Sequence, residues 1–181
     1  MQQLILYTIG HGLRESEAFI DLLLAEEIST LVDVRSNPVS QQVSHFNEPL
    51  LRTDLDASGI IYHWAGKPLG GLRQGWNDSP NYALQDRYLR AYADYMMTPP
   101  FAQATMQLIN LVRRGCSVIM GTEISPERCH RSLIADYLVL QGITVLHIID
   151  AGEIEEHYLR PEARKESAAL IYDRIVETNM P

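Results

Sequence analysis

LILYTIGHGLRESEAFIDLLLAEEISTLVDVRSNP, residues 4–38, decides the reading of the fold. Leu4 to Ile9 is a short apolar run that stops at Gly10-His11-Gly12. Phe19, Leu22, Leu23 and Ile28 then recur at helical spacing, so Ser16 to Glu27 reads as a helix with Ser16 as its N-cap. Thr30 to Val34 is a second apolar run, broken by Ser36-Asn37-Pro38. Strand, helix, strand is the unit of a parallel sheet.

The alternation continues outward. Pro49 to Ser58 reads as a helix closed by Gly59, and Ile60 to Trp64 as a strand. Gly66 to Pro80 is rich in Gly and Pro and reads as a long loop, a frequent carrier of function. Tyr82 to Met97 reads as a tyrosine-rich helix, and a second helix runs from Pro99 or Pro100 to Arg114. Cys116 to Met120 reads as a strand, Ser125 to Gln141 as a helix and Thr144 to Ile149 as the last clear strand. The tail from Pro161 to Val176 reads as helical. The expectation is a single α/β domain over residues 1–181, three-layered and Rossmann-like. Its mainly parallel sheet carries helices on both faces, and a helical extension follows from about residue 152.

The 181 residues carry 15 Lys and Arg against 23 Asp and Glu, a net charge of −8. That balance disfavours a broad grip on a phosphate backbone, which needs clustered cations. It leaves room for a local basic pocket. Two cysteines cannot build a disulfide framework and read as thiols of a reducing compartment. The N-terminal apolar run lacks a basic flank and is too short to span a bilayer. A soluble cytoplasmic protein is expected, with no membrane partner.

Ligands of such sheets sit beyond the carboxyl ends of the strands. The residues there are His11, the Asp33 to Ser36 segment, the Lys67 to Arg73 loop, Glu123 and the Cys129-His130-Arg131 segment. Asp33 and Arg35 alternate along one strand and share a face, as an ion pair or as catalytic groups. Glu123 suits a general acid or base, or a carboxylate favoured at a helix start. Cys129 has basic neighbours that favour thiolate, yet a lone cysteine is also a common core residue. His130 and Arg131 can bind an anion at a helix start. The six histidines show no metal spacing, and Gly10-x-Gly12 lacks the third glycine of a dinucleotide motif. No metal and no cofactor are expected. The tyrosines at 82, 88, 92 and 95 fit a core or a dimer face better than a base-stacking platform.

Thr8-Ile9-Gly10-His11, Leu31 to Arg35 with Pro38 and Ser40, Phe46, Gly59-Ile60-x-Tyr62, Leu69-Gly70-Gly71-x-Arg73, Tyr95-Met96, and Glu123-x-x-Pro126-x-x-Cys129-His130-Arg131-x-x-Ile134-Ala135 follow one another in this order. Together they resemble the domain-of-unknown-function 488 family. The likeness covers roughly residues 4 to 150. It implies a compact α/β domain in the cytoplasm of a bacterium or archaeon, without a defined reaction. It singles out His11, Asp33, Arg35, Arg73, Glu123, Cys129, His130 and Arg131 as motif positions. Members often carry a cysteine two residues before the motif glutamate, where this chain has Gly121.

The expected function is therefore an enzyme with a cationic pocket at the carboxyl edge of the sheet, acting on a small anionic or nucleotide-like substrate. Its acid/base chemistry would draw on His11, Asp33, Glu123, Cys129 and His130, with Arg35, Arg73 and Arg131 holding the anion. The alternative is a nucleic-acid-associated binding or base-processing domain using Lys67, Arg73 and Trp76. A homodimer through the tyrosine helix is a third partner class.

Overall fold

The computed structural model describes residues 3–167 and 169–175. Its centre is a six-stranded sheet. The strands, in chain order, are β1 (Ile5–Gly10), β2 (Thr30–Asp33), β3 (Ile61–Trp64), β4 (Ser117–Gly121), β5 (Thr144–Asp150) and β6 (Glu153–Glu156). They lie side by side as β3-β2-β4-β1-β5-β6. The first five are parallel, and β6 folds back antiparallel on β5. The helices are α1 (Ser16–Ala25), α2 (Glu48–Ala57), the single turn α3 (Gly66–Leu69), α4 (Arg87–Met96), α5 (Pro99–Val112) and α6 (Arg131–Leu140). The fold is α/β with a mostly parallel sheet, as the alternating pattern predicts.

Alternate residues of one strand feed two separate apolar clusters. Val118 and Met120 of β4 pack with Phe19, Leu22 and Leu23 of α1 and with Leu51 and Leu55 of α2. Ile119 between them packs with Tyr92 of α4, Phe101 and Leu108 of α5, and Leu133 and Leu138 of α6. The period of two along a buried strand dictates this division. Among the described residues, no helix is long and apolar enough to cross a membrane.

Several local expectations are revised. The described part of the tail is not helical: Ala163–Glu166 and Ala169–Tyr172 form the antiparallel pair β7 and β8. Val176, the end of the expected helix, lies outside the described residues. Tertiary burial overrides the helix-forming Ala, Arg, Lys and Glu of this stretch. Leu170 and Tyr172 are buried, and the Tyr172 amide donates to Asn81 Oδ1. Ser167 turns the chain with φ 54°. The tyrosine helix starts at Arg87, not Tyr82, because Asp86 Oδ1 accepts from the Tyr88 and Leu89 amides. Ser16 is not the cap of α1; Glu15 holds that place, and the Ser16 hydroxyl donates to Asp54. The stretch from Ser125 breaks in two, a tight turn at Pro126–Arg128 and then α6, with Cys129 extended between them.

Candidate active site

The strand-end residues do gather at the carboxyl edge of the sheet, in two tiers. The inner tier is buried. Asp33 ends β2 with no exposed surface. Its Oδ2 accepts from Arg35 Nη2 at 2.6 Å and from the Tyr62 hydroxyl at 2.8 Å. Its Oδ1 accepts from Arg35 Nε at 2.9 Å and from the Arg35 amide at 3.0 Å. Burial, and then the charge of Asp33, raise the Tyr62 pKa and keep its phenol protonated. Arg35 Nη2 also donates to the Phe46 carbonyl at 2.8 Å.

His11 completes this tier, with its ring stacked 4.4 Å from that of Phe46. Its Nδ1 lies 2.9 Å from the Gly12 carbonyl, which can only accept, so the proton sits on Nδ1. Nε2 then offers its lone pair to Arg35 Nη1 at 3.3 Å. Burial and the neighbouring Arg35 lower the His11 pKa to about 4, so the ring is neutral near pH 7. The guanidinium of Arg35 has five N–H groups and these contacts use four. The fifth, on Nη1, is not used by these contacts, and Arg35 lines the cavity of the outer tier.

The outer tier is a cavity of about 420 Å³ over the ends of β2 and β4. Arg35, Glu123, Arg128, Cys129 and His130 are on its wall, with Leu72, Tyr88 and Leu89 as its apolar side. Cys129 Sγ lies 3.7 Å from His130 Nδ1. His130 Nε2 lies 3.0 Å from the Val34 carbonyl and must donate to it. That bond fixes the ring and turns Nδ1 to the sulfur, so one proton is shared between Nδ1 and Sγ. Burial alone pushes the Cys129 thiol up. The His130 hydrogen bond and charge, the Arg131 charge and the Arg131 amide outweigh it and bring the pKa down to about 6. Cys116, at the opposite end of β4, has its thiol pushed up by burial and by Glu26.

The Leu69-Gly70-Gly71 sequence acquires a physical reason here. A Cβ on Gly71 would stand 2.5 Å from His130 Nδ1, and one on Gly70 would stand 2.5 Å from Ser36 Oγ and 2.2 Å from the Gly66 carbonyl. Only glycines let this loop close over the Cys129–His130 pair. The tyrosine stripe holds the loop in place. Tyr92 donates to the Leu69 carbonyl at 2.9 Å and Tyr95 to the Pro68 carbonyl at 2.6 Å.

Not every expected residue reaches the cavity. Arg73 does not: Nε and Nη2 donate to the Gly70 and Lys67 carbonyls, and its guanidinium stacks 3.7 Å above Tyr95. These contacts staple the loop. His11 and Asp33 stand behind Arg35. Arg131 stands behind Cys129, 1% exposed and absent from the wall.

A second polar network escapes the sequence reading. Thr8 Oγ1 lies 2.6 Å from His147 Nδ1, His147 Nε2 lies 2.9 Å from His157 Nδ1, and His157 Nε2 lies 2.9 Å from Asp136 Oδ1. Tyr172 and Arg160 also bond Asp136. Arg160 Nη2 donates to Ser132 Oγ, which donates to the Cys129 carbonyl. The strand β6 and the β7–β8 pair thus brace the start of α6. The two histidines are ten residues apart and meet only because β6 returns alongside β5. Among the described residues, no group of three His, Cys, Asp or Glu is placed to hold a metal ion.

The family model described as "Domain of unknown function DUF488" matches residues 15–138. That is more than half of the chain, and the chain belongs to this family. No curated protein and no solved structure matches it.

Proposed function

Starting from a member of the DUF488 family, we propose an enzyme that acts on a small anionic substrate, with Cys129 and His130 as its reacting pair. One observation carries this reading: Cys129 Sγ faces His130 Nδ1 at 3.7 Å while His130 Nε2 is tied to the Val34 carbonyl. A nucleophile, a base and a third group that orients the base is the recurrent arrangement of an activated thiol. In this role His130 moves a proton between the sulfur and the substrate, and Glu123 is a second acid or base on the wall. Arg128 and the unused Nη1 proton of Arg35 supply the cationic side. The volume suits a small molecule. His11 and Asp33 act at a distance, by holding Arg35.

The same reading includes a Rossmann-like three-layer arrangement, supported by the two clusters that draw on alternate residues of β4. The connections also support it. They leave the neighbours β2 and β4 in opposite directions, toward β3 and toward β5, and ligand crevices form at such points. Two free thiols suit a reducing, cytoplasmic setting.

The test is protection. Inorganic phosphate, nucleoside monophosphates and sugar phosphates are titrated while alkylation of Cys129 and the melting temperature are followed. At least one should slow alkylation and raise the melting temperature, and Arg128→Ala should weaken both effects. No protection by any of them overturns the anionic substrate.

A further inference from the structure

Arg131 begins α6 and is 1% exposed. Its Nη2 donates to the Ile124 carbonyl at 2.7 Å. Its Nε and Nη1 are buried and have no hydrogen-bond partner. No carboxylate among the described residues forms an ion pair with it, although Asp33, Asp136 and Asp173 each pair with another arginine. A buried charge without a counter-charge costs several kcal/mol, so such a group calls for an anion.

The nearby candidate is the sulfur of Cys129. Gly121 marks the spot where the two side chains converge on the sheet. A Cβ there would stand 2.8 Å from Cys129 Sγ and 3.3 Å from Arg131 Nη1. Together those distances cap the Sγ to Nη1 separation at about 6 Å. Opposite charges at that range favour the ionised form of each other. Gly121 therefore has a packing reason: any larger residue displaces the sulfur or the guanidinium.

We propose that Arg131 is the buried counter-cation of the Cys129 thiolate, a positioning residue that acts through the sulfur and does not touch substrate. The proposal rests on the Cys129–His130 reading and deepens it. It also moves Arg131 from the anion-holding role that its sequence position suggests. Cys129 and His130 are on the cavity wall and Arg131 is behind them. Its charge is spent on the nucleophile, while Arg128 and Arg35 face the ligand. The charge of the thiolate explains why a guanidinium can be sealed behind a strand end without a carboxylate.

The experiment is the pH midpoint of Cys129 alkylation by iodoacetamide in a Cys116→Ser background, with circular dichroism to confirm folding. Arg131→Met should raise the midpoint by at least about one unit, the lower end of the effect of a nearby charge. Arg131→Lys, which keeps the charge, should hold the midpoint below that of Arg131→Met. A folded Arg131→Met protein with the wild-type midpoint overturns the proposal. Should that variant not fold, a folded Arg131→Lys protein decides: a midpoint in the ordinary thiol range overturns the proposal, and one near the wild-type value supports it. An ordinary midpoint in the wild-type protein would instead remove the reacting pair itself, so the two failures are distinct.

Discussion

Replacing Arg35 by Met tests the inner tier of the site. The substitution keeps most of the side-chain length and deletes three guanidinium contacts to Asp33 and the bonds to Phe46 and His11. Asp33 is left fully buried, with the Tyr62 hydroxyl and the residue-35 amide as its remaining donors. Breaking a buried pair from one side costs about 3–5 kcal/mol. The two surviving donors favour the lower end, about 3 kcal/mol. Urea denaturation should register this as a midpoint lower by about 1–3 M, given slopes of about 1–3 kcal/mol per M. The loss should shrink as pH falls. Without Arg35 beside it, one of the influences that lower the His11 pKa is gone, and the ring can take up a proton near the orphaned carboxylate. The double variant Asp33→Asn/Arg35→Met removes both charges and should cost less than Arg35→Met alone. If Arg35→Met costs under about 1 kcal/mol at pH 7, Asp33 and Arg35 are not a buried, desolvated pair.

Acid sensitivity follows from the two buried histidines. The pKa of His11 is lowered to about 4 and that of His147 to about 3, in each case first by burial. Both therefore stabilise the fold fully above the ordinary value of about 6.5, and that contribution is lost as pH falls through about 4 and then about 3. His11→Gln should flatten the stability curve between about pH 6 and 4 by about 1.4 kcal/mol per pH unit, one proton's worth, in urea titrations at stepped pH. An unchanged slope would mean that His11 is not buried neutral. Gly71→Ala forces a carbon against the His130 ring and should cost about 1–3 kcal/mol and raise the Cys129 midpoint. Gly75→Ala, whose Cβ would meet nothing nearer than 3.4 Å, should do neither, and equal effects at both sites would refute the close-approach argument.

The parts of the fold written locally were legible in the sequence. The apolar runs of β1 to β5 and the spacing in α1, α2 and α5 announce themselves, because each buries a face with its own period. The last two strand pairings are not written locally. The Ala163–Glu166 residues favour helix, and only the docking of Tyr172 against Asn81 and Asp136 turns them into a ladder. The motif residues were legible as a set, but not their division into tiers. Nothing in the spacing of Asp33 and Arg35 says that the pair is sealed beneath the cavity. Arg73 reads as a free cation from its loop, and only the structure supplies the carbonyls and the Tyr95 ring that occupy it. The His147–His157–Asp136 chain was invisible, because its members come from β5, the segment after β6, and α6.

Cys129 and His130, read as a reactive thiolate pair at the cavity wall, carry the proposed function. Its most direct measurement is the iodoacetamide alkylation rate of Cys129 against pH, with Cys116→Ser removing the second thiol. The midpoint should lie near the lowered pKa of about 6. At pH 5 such a thiol is ionised roughly 900 times more often than one with a pKa of about 9, and the weaker nucleophilicity of a low-pKa thiolate takes back about 20-fold, leaving an advantage of roughly 40-fold. Burial slows the absolute rate, so the midpoint is the readout. His130→Gln should move it upward by about one unit or more. A wild-type midpoint at about 8.5 or above, unmoved by His130→Gln, would mean that no such pair exists.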